Sequence, residues 1–191
     1  MKQQSLNLKF QDYIYLKDMQ TCSFFEEILT RCKNFIDGNG HSMILMGKED
    51  MAKSFFFYAL YNHLKQNNDC YFKSIKQDSD FLSCEDLKED IIFLDSYNTS
   101  YGSKNGEILL FKFFNESKLK KSKVLFNNSI YHEQKPNLKD LESRMSSSLL
   151  INFPLLSDED KKIIIVNFLK NRGLNLTDQS IEFVLNRYSR S

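Results

Sequence analysis

The chain has 191 residues with 26 basic and 25 acidic side chains, so its formal charge of +1 provides no global pull toward nucleic acid or an anionic membrane. Its 41% hydrophobic content, 17 Phe, 6 Gly and 2 Pro describe an ordered globular chain with one main core and a small appendage. The longest apolar runs, Phe55 to Leu60 and Ile163 to Val166, fall far below the ~20 residues of a membrane-spanning helix.

From the N-terminus, "QQSLNL" (Gln3 to Leu8) reads as a polar tail with spaced apolar positions, and no apolar secretory segment follows Met1. Cys22, Cys32, Cys70 and Cys84 form neither a CxxC pair nor a dense framework, which predicts reduced thiols and a cytoplasmic protein. Four strand-like runs follow: Met43 to Met46, Cys70 to Ile75, Ile91 to Leu94 and Val124 to Phe126, each separated from the next by enough chain for a crossover helix. A fifth, Leu149 to Phe153, completes the series. This alternation predicts an α/β fold with a mainly parallel five-stranded sheet and helices on both faces. The loops after Met46, Leu94 and Phe126 then share the rim at the carboxyl ends of the strands, where ligands bind in such sheets. After Pro154 the pattern turns helical: Ser157 and Asp160 fit a helix start before "KKIIIVNFLK", Gly173 fits its stop, and Thr177 can cap "DQSIEFVLNRY". The expected organisation is a tail (1–10), an α/β base (11–154) and a partial helical lid (155–191).

Gly47 to Ser54, "GKEDMAKS", follows the phosphate-loop spacing GxxxxGK[ST] with Ala52 in place of the second glycine. In such a loop the lysine reaches the outer phosphates and the hydroxyl binds Mg²⁺ at a helix N-terminus, roles open to Lys53 and Ser54. A positive φ at Ala52 would cost ~1 to 2 kcal/mol, and the Asp50 carboxylate would repel a phosphate. The same residues also describe an ordinary strand–turn–helix. Asp95, ending "EDIIFLD", is placed to hold the metal's water shell opposite Ser54, or to serve as a strand-end cap. Ser96 stands where ATPases of this architecture carry a water-orienting carboxylate, which argues against robust hydrolysis at this site. Asn128, after "KVLFN", is expected near a γ-phosphate. Arg144, in "LKDLESRM", is either a surface ion-pairing group or a cation delivered into a neighbouring subunit.

These stretches, above all "LKDLESRM…INFPLLSDEDKK", resemble the DnaA/Hda branch of the AAA+ ATPases from about Leu6 onward. The resemblance implies Lys53 and Ser54 as phosphate and metal contacts, Asp95 as the Walker B acid, Asn128 at sensor one and Arg144 as a trans-acting arginine finger. It implies ADP or ATP with Mg²⁺ at Gly47, Ala52, Lys53, Ser54, Asp95 and Asn128. It also implies that Gln3, Leu6 and Leu8 dock into the DNA polymerase sliding clamp as an extended peptide. The lid arginine of sensor two would fall just past Ser191, and no helix-turn-helix domain fits after Tyr188. The function implied is regulation of bacterial replication initiation, with the DnaA initiator and the clamp as partners, further copies of the chain as others, and direct DNA contact left open. The alternatives are a nucleotide-independent adaptor and an initiator or helicase-loader fragment.

The remaining features read as structural. His41, His63 and His132 are too scattered for a metal set. Lys118, Lys120, Lys121 and Lys123 read as a solvated edge, and the aromatics from Phe55 to Tyr61 as core contacts of the first helix.

Overall fold

Side chains on a strand alternate between the two faces of a sheet, so a run that is apolar at every position must be covered on both sides. Such a run is β3 (Ile91–Asp95), buried at all five positions. The structure, a computed structural model, describes residues 14–47, 51–84, 87–128, 135–174, 177 and 179–182. Gln3, Leu6 and Leu8 lie outside them, as do Lys48 to Asp50 and His132.

With β3, the strands β1 (Ser42–Met46), β2 (Cys70–Ser74), β4 (Lys123–Asn127) and β5 (Leu149–Asn152) form a five-stranded sheet in the order β2-β3-β4-β1-β5. Every pairing is parallel. On one face Ile91 and Phe93 pack with α1 (Phe25–Asp37) and α2 (Met51–Leu64) through Phe25, Ile28, Phe56 and Phe57. On the other, Ile92 and Leu94 pack with α3 (Lys104–Leu119) and α4 (Lys139–Ser146) through Leu110, Phe113, Leu141 and Met145. The predicted α/β sheet with helices on both faces is therefore present.

The connection from β2 to β3 differs from the expected crossover helix: it is a 3-10 segment, Asp78–Cys84. Asp80 accepts hydrogen bonds from the Lys76 and Gln77 amides at 2.8 and 3.1 Å, which holds a turn against helix propagation. Lys123 is also corrected. Instead of lying on a solvated edge, its Nζ donates to the carbonyls of Phe35, Gly38 and Gly40, closing the C-terminus of α1. His41 bonds the Ser122 carbonyl at 2.9 Å, a structural role. The four cysteines are free.

Beyond the sheet, α5 (Asp158–Lys170) starts where Ser157 accepts from the Asp160 amide at 3.0 Å. The chain leaves it through Gly173, whose φ of +71° suits a residue without Cβ. Thr177 accepts from the Ser180 amide at 3.3 Å and opens the next turn of helix. An ion pair anchors this region: Asp18, fully buried, meets Arg172 Nη2 at 3.2 Å and also accepts from Asn171 Nδ2 (2.7 Å) and the Tyr15 amide (3.0 Å). The guanidinium lies 3.5 Å from the centre of the Phe168 ring. Among the described residues, no helix is long and apolar enough to cross a membrane.

Candidate functional site

The sheet register brings polar residues together at its carboxyl rim. Asp95 and Asn127 end adjacent strands as Cα partners, and α2 is the next element after β1. Lys53, in the first turn of α2, is 1% exposed. Its Nζ donates to the Gly47 carbonyl at 3.2 Å, to Asn128 Oδ1 at 2.8 Å and to the Asn128 carbonyl. Asn127 Nδ2 lies 2.7 Å from Asp95 Oδ1 and 3.4 Å from Ser54 Oγ, while its own Oδ1 is buried without a hydrogen-bond partner among the described residues. Burial raises the Asp95 carboxyl above its ordinary value, with the Asn127 amide and the Lys53 charge acting in the opposite direction.

The structure thus gathers Gly47, Lys53, Ser54, Asp95 and Asn128 on one rim. Ala52, 8% exposed, is helical within α2, so the strain attached to a positive φ there does not arise. Gly47 takes a φ of +153°, and a Cβ on it would stand 3.0 Å from the Phe153 carbonyl oxygen. Ser96 adopts a left-handed φ of 59° and bonds the Asn127 carbonyl through its amide at 2.8 Å, leading the chain into the 3-10 turn Tyr97–Ser100. Asn128 takes its side chain to the lysine, whereas the residue touching both Asp95 and Ser54 is Asn127, which sequence reasoning missed. Two consecutive asparagines after an apolar run were the available signal; which of them meets Asp95 is a matter of register.

An ammonium, a hydroxyl and a carboxylate at the ends of β1, β3 and β4 can together hold a phosphate and its divalent metal. Among the described residues no group of three or more His, Cys, Asp or Glu side chains could hold a metal without such a ligand.

Arg144 stands in the last turn of α4. Leu141 and Met145 fix that helix in the core at 0% and 5% exposure, while Arg144 is half-buried and its guanidinium has no hydrogen-bond or ion-pair partner among the described residues. Ser148, just past the helix, bonds Ser42 of β1 between hydroxyl oxygens at 2.7 Å. The chain then enters β5, one of the two edge strands of the sheet, where Leu149 and Leu150 are about half exposed.

No protein-family model matches the chain, and no curated protein matches it. Solved structures do. One described as a DNA replication initiation factor superposes with a TM-score of 0.70 over 96% of this chain and 61% of its own, at 17% identity. Domain III of the Thermotoga maritima replication initiation protein DnaA gives 0.68 over 91% of this chain and 80% of its own, at 14% identity. A DnaA bound to AMPPCP and single-stranded DNA gives 0.64 over 90% of this chain and 59% of its own, at 18% identity. The chain spans about three fifths of the first of these. With its five parallel strands, two-sided helical cover and polar rim, the chain has the fold of these DnaA structures.

Proposed function

We propose that this chain is a cytoplasmic regulator of replication initiation that supplies Arg144 to the ATP site of a DnaA-type initiator. In this reading Gln3, Leu6 and Leu8 tether it to the sliding clamp, the lid is the region from 155 onward, and self-association uses the same Arg144 face. The observation that carries the reading is the Arg144 side chain: a half-buried cation without a partner among the described residues, mounted on a helix whose other face is held in the core. Such a cation stabilises the charge that develops on a phosphoryl group in transfer, and arginines acting in trans are worth about 10³ to 10⁵ in rate. Because the charge acts in another subunit's site, the serine at position 96 is no obstacle.

The chain's own rim fits ADP or ATP with Mg²⁺: Lys53 for the outer phosphates, Ser54 and Asp95 for the metal, the Gly47 and Ala52 backbone around the phosphates, and Asn128 near the last of them. Asn127 Oδ1, buried and without a hydrogen-bond partner among the described residues, fits a donor such as a metal-bound water. A nucleotide there would supply charge and rigidity, and Ser96 in place of the water-orienting acid makes it a structural ligand. The test is hydrolysis of ATP held by the initiator. Wild type should accelerate it and Arg144→Ala should not; acceleration by the variant at the wild-type rate defeats the reading.

A second reading, a nucleotide-independent adaptor joining replication proteins, draws on Lys53, whose ammonium is already hydrogen-bonded within the chain, and on the Phe55–Phe168 ring contact at 5.6 Å between α2 and α5. Calorimetry with ADP or ATP and Mg²⁺, with Lys53→Ala as control, separates the two. The DnaA structure containing single-stranded DNA motivates a third measurement, the salt dependence of affinity for such a strand; a steep dependence supports direct DNA contact.

A further inference from the structure

The loop that starts α4 has an unusual support. Glu107, on the first turn of α3, is 2% exposed, and its carboxylate accepts three main-chain hydrogen bonds. Oε1 takes the Gly102 amide and the Asn137 amide, each at 2.9 Å, and Oε2 takes the Leu138 amide at 2.8 Å. Leu138 is the N-cap of α4 and has no side-chain cap of its own. A residue 31 positions earlier therefore does what the Glu three residues into a helix does in a capping box, accepting the amide of the N-cap residue, and brings a negative charge to the positive end of the helix.

Burial is costly for a carboxylate unless its oxygens are satisfied, and here each oxygen accepts at least one amide. The amides belong to the approach to α3 and the approach to α4, so the carboxylate fixes one helix relative to the other. Arg144 is six residues beyond Leu138, about 9 Å along the axis at 1.5 Å per residue. With the Ser148–Ser42 bond at the far end, α4 is held at its start, along its apolar face and at its exit.

We propose that Glu107 is a positioning residue for Arg144: its carboxylate sets where α4 begins, and so where the guanidinium is presented to the neighbouring ATP. This rests on the trans-acting role of Arg144 proposed above. A displacement of about 1 Å in a charge that must meet a transition state can cost up to ~10²-fold in rate, whereas affinity for the partner, set by the wider surface, is little affected.

The experiment measures hydrolysis by ATP-loaded DnaA over a range of concentrations of wild type, Glu107→Gln and Arg144→Ala. Glutamine keeps the size and one acceptor but turns an NH₂ group toward an amide. Glu107→Gln should stay folded, reach half-maximal stimulation at the wild-type concentration, and lower the maximal rate about tenfold. Combining it with Arg144→Ala should add no further loss, since both act through one guanidinium. A folded Glu107→Gln that stimulates fully while Arg144→Ala does not overturns the positioning role and leaves the Arg144 reading standing; full stimulation by Arg144→Ala removes both. Should Glu107→Gln fail to fold, Leu138→Pro deletes one of the three bonds at a backbone φ of −76° that proline accepts. The same fall in maximal rate is expected of it, and an unchanged rate overturns the proposal.

Discussion

At the rim, Lys53, Asp95, Asn127 and Asn128 are buried and bonded to one another or to main chain, whereas Arg144 is half-exposed with no partner for its guanidinium among the described residues. Engaging a phosphate with Lys53 means giving up bonds to Gly47 and Asn128, so any ligand gains only the difference between the old contacts and the new. Arg144 has no such exchange to make. In the proposed reading the two cations therefore differ in what a phosphate must displace: Lys53 would exchange bonds it already makes to Gly47 and Asn128, whereas Arg144 would meet charge brought from outside.

The largest effect that can break this contrast is Arg144→Ala, expected to lower stimulated hydrolysis by about 10³ or more with the unfolding midpoint unchanged; an equal loss from Lys53→Ala with Arg144 intact would reverse the assignment. Next is Lys53→Met. If the ammonium serves mainly its own loop ends, losing the donor to the Gly47 and Asn128 carbonyls destabilises the protein by about 1 to 3 kcal/mol; a stability gain in denaturant titration would instead mark a cation held in readiness for phosphate. A pH series addresses the mount of Arg144. Burial works to raise the Glu107 carboxyl, but the Asn137, Gly102 and Leu138 amides together hold it below its ordinary value. Its contribution is therefore full above the unfolded glutamate pKa of about 4.3 and is lost as pH falls through the lower folded value. The gap in unfolding midpoint between wild type and Glu107→Gln should narrow below that pH, and a constant gap would contradict the charged acceptor. The smallest effect is at Asp95. Its raised carboxyl favours the protonated form in the fold, a contribution present at low pH and lost as pH rises through the folded value. Asp95→Asn should accordingly raise the unfolding midpoint slightly at neutral pH and not in acid.

What the sequence disclosed follows from how local each signal is. The strands were legible because a sheet covered on both faces needs unbroken apolar runs such as "IIFLD". Ser157 and Thr177 were legible because a cap bonds within three residues. The convergence of Lys53, Asp95 and Asn128 followed from parallel strands sharing one rim. Asn127 was not legible, because choosing between neighbouring asparagines requires the pairing of Asp95 with Asn127. Nor was the span of Lys123, on β4, to the end of α1, or of Glu107 to the start of α4: neither contact leaves a periodic trace. The turn at Asp78–Cys84 was hidden by length alone, since that connection could also have held a helix.

The Asp18–Arg172 pair joins points 154 residues apart, so the 3-10 turn Leu16–Asp18 ahead of α1 and the helical region after the sheet are fastened as if by a buckle. Cutting away the leading segment through Asp18 would leave the Arg172 guanidinium in a sheltered place without its carboxylate, a loss of about 3 to 5 kcal/mol when a buried pair is broken. A deletion meant to test clamp docking must therefore stop short of Tyr15, or α5 will come loose and imitate a loss of docking that has another origin.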